Sequence, residues 1–184
     1  MRVAIQGEPG SFSHQAAKKM LQHARILPCK TIREVFVAVK KGSAQAAVVP
    51  VENSITGPIK EHQRLVARSG LSAVSEIRLN VVQCLIAAPG VKIKDVQRVY
   101  SHPVALAQCG RFFQRNPQLN PVRFYDTAAA VRYVIKGHRR TAAAIGPALA
   151  AKEYGGKMLR RGVQDRIGNY TRFVLLEPKV FRRD

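Results

Sequence analysis

Long apolar runs are missing from this chain. Stretches such as Leu85-Ile86-Ala87-Ala88 fall far short of the roughly 20 residues a membrane-spanning helix needs. The opening also lacks the form of a secretory leader, because Met1-Arg2 leads into a brief apolar stretch that meets Gln6-Gly7-Glu8-Pro9-Gly10 at once. Cysteine is scarce: Cys29, Cys84 and Cys109 stand apart in apolar or helical surroundings, without the paired spacing of a metal site. Buried, reduced thiols in a cytoplasmic protein are therefore expected. Neither a phosphate loop ending in Gly-Lys-Ser/Thr nor a dinucleotide Gly-x-Gly-x-x-Gly is present, so no metal or cofactor is expected. Acidic residues are few, 11 against 31 lysines and arginines, which leaves a formal charge of +20.

Such a surplus concentrates polyanions near the surface. The basic residues are dispersed, however, from Lys18-Lys19 and Lys40-Lys41 to Arg139-Arg140, Arg160-Arg161 and Arg182-Arg183. There is no long basic block, no zinc-finger spacing and no aromatic-rich strand of the kind found in RNA-binding sheets. A small anionic metabolite is favoured as partner over specific nucleic acid, with non-specific adhesion in low salt still expected.

The 184 residues, 46% of them hydrophobic, suffice for one large domain or two small lobes with real cores. Strands and helices alternate through short loops, which predicts an α/β fold. Arg2–Gln6 reads as a strand, followed by the turn Gly7-Glu8-Pro9-Gly10-Ser11-Phe12-Ser13 and a helix from His14, with Ser11 or Ser13 as its cap. Thr31 caps a second helix carrying Val35, Phe36 and Val39 on one face. The apolar run 46–51 returns as a strand and delivers Glu52-Asn53-Ser54, a carboxylate, an amide and a hydroxyl, to a strand mouth. A helix-capping cluster would need only the Asn and Ser; a carboxylate there can also orient a substrate group. Residues 74–88 predict one long or two short strands broken near Asn80, a way for the chain to cross between lobes.

Further on, Ser101 is expected to cap a helix running through Leu106, Cys109 and Phe112-Phe113, with Gln108 two turns along on the same face. His102 reads more plainly as a surface residue than as an acid or base. Asp126-Thr127 begins another capped helix, 142–145 is a buried strand, and Gly146-Pro147 opens an alanine-rich helix. The tail 179–184 reads as frayed. The stretch from Asp165 to Phe173 matters most: a polar loop feeds an apolar strand through consecutive Thr171, Arg172 and Phe173. On a strand, Thr171 and Phe173 share a face and Arg172 takes the other. By itself this is a polar strand entrance with a solvated arginine. Most of these polar clusters follow strands, where open α/β sheets bind ligands.

Together, the Gly7–Ser13 turn, Glu52-Asn53-Ser54, Ser101-His102-Pro103 with 105–109, Asp126-Thr127-Ala128 and Asn169-Tyr170-Thr171-Arg172-Phe173 resemble the prephenate dehydratase family. They occur in that family's order and cover nearly the whole chain. The resemblance implies a two-lobed α/β fold like a type-2 periplasmic binding protein, with the active site in the interlobe cleft. One lobe would comprise 1–79 and 173–184, the other 80–172. It implies conversion of prephenate to phenylpyruvate, with loss of water and carbon dioxide, on the route to phenylalanine. The alternatives are arogenate as substrate, a decarboxylase that stops short of aromatisation, and a non-catalytic relative that binds an anionic metabolite.

The family's catalytic threonine falls on Thr171, supported by Glu52, Asn53, Ser101 and Gln108. Substrate-binding positions fall on Ser11, Ser13, Thr127, Arg172 and Phe173. A homodimer or homotetramer is also implied. Some family positions differ: Val104 replaces a glutamine after Ser-His-Pro, Gln83 replaces a histidine, and an acidic residue is replaced around Gln63-Arg64. The chain leaves no room for the ACT domain of many members, so phenylalanine feedback through such a module is not expected.

Overall fold

The computed structural model describes residues 1–179; most of the tail expected to fray lies outside them. In chain order the elements are β1 (Arg2–Gln6), α1 (Phe12–Met20), β2 (Arg25–Cys29), α2 (Ile32–Lys40), β3 (Ala46–Asn53), β4 (Gly57–Pro58), α3 (Lys60–Arg68) and β5 (Leu71–Asn80). They continue as β6 (Cys84–Ala87), β7 (Arg98–Ser101), α4 (Pro103–Ala107), α5 (Gly110–Gln114), β8 (Asn120–Arg123), α6 (Thr127–Lys136), β9 (Ala142–Gly146), α7 (Ala148–Tyr154), β10 (Lys157–Arg161) and β11 (Tyr170–Pro178). A short 3-10 turn, Ile93–Asp95, precedes β7.

Two compact units result. The first contains 1–7, 12–80 and the chain from Asn169 onward; the second contains 8–11 and 81–168. The break expected near Asn80 divides β5 and β6 between different sheets. The return falls before Asn169, earlier than the expected crossing at 172, because Tyr170 already pairs with Asn80 and Thr171 with Leu79. Thr171 and Arg172 are thus residues of the first unit, and the Glu8–Ser11 loop belongs to the second.

The first sheet has the order β2-β1-β3-β11-β5, with β4 paired to β3. β1 runs parallel to β2 and β3, whereas β11 is antiparallel to β3 and β5. Central β3 is a nearly continuous apolar run because helices cover both of its faces. Val48 joins Val3, Ile5, Ala16, Ala17, Leu79, Phe173 and Leu175 on the α1 side. Ala47 and Val49 join Val35, Phe36, Val39, Val174 and Leu176 on the other. Thr31 caps α2 as expected, accepting from Glu34 N at 3.2 Å.

One irregularity shapes the site. Pro50 has no N–H to donate, and the β3–β11 ladder slips by one residue beside it: Phe173 faces Pro50, whereas Arg172 faces Glu52 and Thr171 faces Asn53. Val51 is the extra residue of this bulge. Its carbonyl turns to Ile59 N (3.0 Å) and Gln63 Nε2 (3.0 Å).

The second sheet has the order β10-β6-β9-β7-β8, with β7 parallel to β8 and β9, and β6 antiparallel to β9 and β10. Its core gathers Leu85, Ile86, Val99, Phe112, Val131, Val134, Ala143 and Ile145. The Glu8–Ser11 loop is bound to α6 and α7: Glu8 pairs with Arg132 at 3.2 Å, and Tyr154 donates to Pro9 O at 2.7 Å. Gly10 has φ +86°, and a Cβ there would lie 2.7 Å from Ala150 Cα. Only glycine meets both demands.

Candidate functional site

Thr171 lies at the entrance to β11 beside Asn53. Asn53 Oδ1 accepts from the backbone N–H groups of Ile55 (3.0 Å) and Thr56 (3.2 Å). Since backbone N–H groups can only donate, these contacts fix the orientation of the amide. Its Nδ2 therefore faces Asn169 Oδ1 at 2.9 Å, Tyr170 O at 3.1 Å and Thr171 Oγ1 at 3.0 Å. Ser54 ties the ends together, donating through Oγ to Asn169 Oδ1 (3.1 Å) and accepting from Tyr170 N (3.0 Å). Asn169 is buried at 4% exposure and organises this network. It lies in the motif that marked the site, but a buried asparagine at a strand mouth reads as a turn residue from sequence alone.

The direction of the Asn53–Thr171 bond sets the chemistry. Thr171 Oγ1 is the acceptor, and among the described residues its own hydrogen donates to no partner. Donation from the amide polarises the hydroxyl and strengthens it as a donor. The pair can therefore present one oriented O–H to an oxygen of a ligand. It cannot readily act as a nucleophile, because Asn53 supplies no base to remove the proton.

Glu52 and Arg172 lie on the other face. Arg172 Nε donates to Glu52 Oε2 at 3.1 Å and its Nη1 to Glu76 Oε2 at 3.0 Å. These bonds, the one to Glu76 foremost, raise the guanidinium pKa still further. Arg172, expected to bind substrate, is occupied by two carboxylates of its own unit, and Glu52 is turned from the Thr171 side. Glu76 was not anticipated, since its role depends on the β5–β11 register. Phe173, expected to touch substrate, is 2% exposed in the core with Leu79 and Leu175. It anchors the strand below Thr171 and has no face to offer a ligand.

In the second unit, Ser101 ends β7 fully buried and donates to Ile145 O at 2.6 Å. It does not cap the next helix: His102 does, its Nδ1 accepting from Val104 N at 3.3 Å. Nor is Gln108 two turns along one helix. α4 stops at Ala107 and Gln108 is its C-cap; its carbonyl accepts from Asp165 N at 2.7 Å. Asp165 Oδ1 then accepts from Arg111 N at 2.9 Å, holding the start of α5.

Asp126 caps α6 as expected, accepting from Ala129 N at 2.7 Å, and Thr127 is the first helical residue. Burial raises the Asp126 pKa, offset in part by the backbone N–H groups of Ala129 and Ala128. Ser11 and Ser13 are both buried, Ser11 in the loop of the second unit and Ser13 in α1 of the first. Cys29, Cys84 and Cys109 are buried and unpaired. Among the described residues, no three His, Cys, Asp or Glu side chains gather as metal ligands would, and no helix is long and apolar enough to cross a membrane.

Polar side chains at the mouths of open α/β sheets, with an oriented hydroxyl donor among them, define a class of proteins that handle small polar molecules. Comparison with known proteins gives the family. The model described as prephenate dehydratase matches residues 3–180, and the chain belongs to that family. Arogenate dehydratase 5, chloroplastic, of Arabidopsis thaliana is 41% identical over 187 residues, which cover all of this chain and 44% of that protein. The chain therefore spans less than half the length of such relatives. A prephenate dehydratase from Arthrobacter aurescens, solved in complex with L-Phe, superposes with a TM-score of 0.87 at 27% identity, covering 100% of this chain and 63% of that one. The structure of GqqA, described as a novel type of quorum-quenching acylase, superposes with a TM-score of 0.90 at 34% identity, covering 99% of this chain and 66% of that one. The two-unit α/β fold is that of these structures.

Proposed function

We propose that this chain catalyses the decarboxylating dehydration of a 4-hydroxycyclohexadienyl dicarboxylate, prephenate or arogenate, within the route to phenylalanine. The carbon–carbon bond to the ring carboxylate breaks, and its electron pair moves through the ring. The ring hydroxyl leaves as water with a proton taken from solvent, the carboxylate leaves as carbon dioxide, and the ring becomes aromatic. Prephenate would yield phenylpyruvate; arogenate would yield phenylalanine. Aromatisation drives the reaction, so the protein need only hold the dicarboxylate and assist the departing hydroxyl.

The observation carrying this reading is the Thr171 hydroxyl, held as acceptor from Asn53 at 3.0 Å with its own hydrogen unengaged among the described residues. It donates to the leaving hydroxyl. A neutral threonine is a weak acid, and its contribution comes from placement where charge develops. In this proposal Glu52 with Arg172 holds the strand that carries Thr171. Ser11, Ser13, Gln108 and Thr127 take part in binding the carboxylates, and Ser101, its hydrogen given to Ile145 O, fixes the end of β7. Membership of the family supports the reading.

The buried free thiols support a reducing compartment, the cytoplasm in this proposal, and assembly as a homodimer or homotetramer stays part of it. Amide hydrolysis, suggested by the likeness to GqqA, is disfavoured as a reaction of Thr171 because among the described residues no base faces its hydroxyl. The test is to incubate purified protein separately with prephenate, arogenate and a simple N-acyl amide. Phenylpyruvate absorbance or phenylalanine release is expected. Ligand binding without turnover, decarboxylation that leaves the ring non-aromatic, or acyl release alone would each overturn the proposal.

A further inference from the structure

Helix α3 adds little to the core, yet two of its side chains hold one irregular stretch of β3. None of its residues is fully buried, and Leu65 and Val66 pack only in part against the apolar cluster beside β3. Two neighbouring polar side chains reach the strand instead. His62 Nδ1 meets Pro50 O at 2.8 Å, and Gln63 Nε2 donates to Val51 O at 3.0 Å. A carbonyl oxygen only accepts, so each contact fixes its donor: the His62 ring carries a hydrogen on Nδ1, and the Gln63 amide turns its nitrogen to the strand.

Both carbonyls belong to the bulge. Consecutive carbonyls of a regular strand point to opposite edges; here one helix takes both. A bulge turns its backbone groups out of the ladder, and they need partners from elsewhere. Val51 O has two donors, Ile59 N at 3.0 Å and Gln63 Nε2. What the bulge secures lies just beyond it, where Glu52 faces Arg172 and Asn53 faces Thr171. Without the extra residue Glu52 would stand opposite Thr171, an acceptor in place of the amide donor. Gln63, Val51, Asn53 and Thr171 all belong to the first unit, so the whole line of contacts lies within it.

We infer that Gln63 is a positioning residue for the dehydration proposed above: it pins Val51 in the bulge and thereby holds Asn53 against Thr171. This rests on that reaction and deepens it. Removing the side-chain donor strands no acceptor, because Ile59 N still serves Val51 O. The strand keeps its fold and loses a restraint on its register. The Thr171 hydroxyl is then presented less squarely, and a misplacement of about 1 Å can cost about 10²-fold in rate.

The experiment measures kcat and KM for prephenate and arogenate in the wild type, Gln63→Met, Gln63→Glu and Gln63→Lys, each alone and combined with Thr171→Val. Gln63→Met fills similar space without a donor and should lower kcat about tenfold while KM stays within about twofold. Gln63→Glu sets an acceptor against Val51 O and should lower kcat further; Gln63→Lys keeps a donor and should restore most of it. In the Thr171→Val background no hydroxyl remains to align, so Gln63→Met should cost less than about twofold more. An unchanged kcat in Gln63→Met overturns the inference. So does an undiminished loss in the Thr171→Val background, which would mark general damage, and either result leaves dehydration standing. Hydrogen exchange of the Asn53 side-chain amide, followed by NMR in isotope-labelled protein, gives a readout apart from turnover. Exchange should quicken about tenfold in Gln63→Met, the scale of one ordinary hydrogen bond, and an unchanged rate overturns the inference. If wild type turns over neither substrate, dehydration fails, and the exchange rate alone decides whether Gln63 holds Asn53.

Discussion

Replacing Thr171 by valine keeps the branched shape and removes only the hydroxyl, so it separates chemistry from folding. Asn53 Nδ2 has two hydrogens and faces three acceptors, Asn169 Oδ1, Tyr170 O and Thr171 Oγ1, at 2.9, 3.1 and 3.0 Å. Without the threonine oxygen, two acceptors remain for two hydrogens and no donor is stranded. The stability loss should stay near that of one ordinary hydrogen bond, about 0.5–1.5 kcal/mol. Turnover should suffer far more. Losing one preorganised donor to a developing oxyanion costs about 10²–10³ in kcat. The assay is initial-rate formation of phenylpyruvate or phenylalanine, with urea unfolding followed by circular dichroism on the same sample. Thr171→Ser should retain substantial activity. A Thr171→Val enzyme with near-normal kcat would refute the role given to the hydroxyl; an unfolded one would refute the account of Asn53. Asn53→Asp sharpens the test, since a second carboxylate oxygen would replace the amide donor. Thr171 would then have to turn its own hydrogen inward, and kcat should fall about as far as in the valine variant.

Asp126 gives a pH signature. Burial raises its folded pKa, so the folded state binds this proton more tightly than the unfolded chain. Its contribution to stability is then largest in acid, and declines as pH rises from about 4, the unfolded carboxylate value, through the folded pKa. Asp126→Asn keeps the cap to Ala129 and should remove that declining component from urea-unfolding free energies measured across this window; an unchanged pH profile would contradict the assignment. For the thiols, burial raises all three pKa values, that of Cys109 to about 12 with a further push from Asp165. An aromatic disulfide reagent at pH 8 should leave all three unmodified in native protein and label all three in denaturant, read as released thiolate. Rapid native labelling of any one would overturn this.

Local signals were legible and long-range ones were not. Thr31 and Asp126 announce their helices because a cap acts over three residues, and both bonds are present. The same holds for the sharing of a face by Thr171 and Phe173, which follows from strand geometry. The polar break near Asn80 correctly marked a change of sheet. By contrast, β2 (Arg-Ile-Leu-Pro-Cys) and β10 (Lys-Met-Leu-Arg-Arg) are half-exposed edge strands without the alternation or apolar continuity that marks a buried strand. The break between α4 and α5 falls just before Gly110, a local hint, but its geometry is set from a distance. It is held by Asp165, which bonds to Gln108 O and Arg111 N from 54 or more residues away. Ser101 looks like a cap in sequence, yet the neighbouring β9 takes its hydrogen.

The division between Glu52 and Asn53 shows why the site could not be read off residue types. If the register of Phe173 with Pro50 continued unbroken, Arg172 would face Val51 and Thr171 would face Glu52. A carboxylate beside the threonine would accept its proton, leaving the hydroxyl turned inward or poised as a nucleophile. Beside Pro50, however, the pairing slips by one residue. Glu52 moves to the face of Arg172, and Asn53 takes the place opposite Thr171. The amide donates where the carboxylate would have accepted, and the threonine hydrogen remains available to a substrate. The bulge at Val51 therefore decides whether Thr171 meets a donor or an acceptor, through a change of register that only the paired strand makes visible.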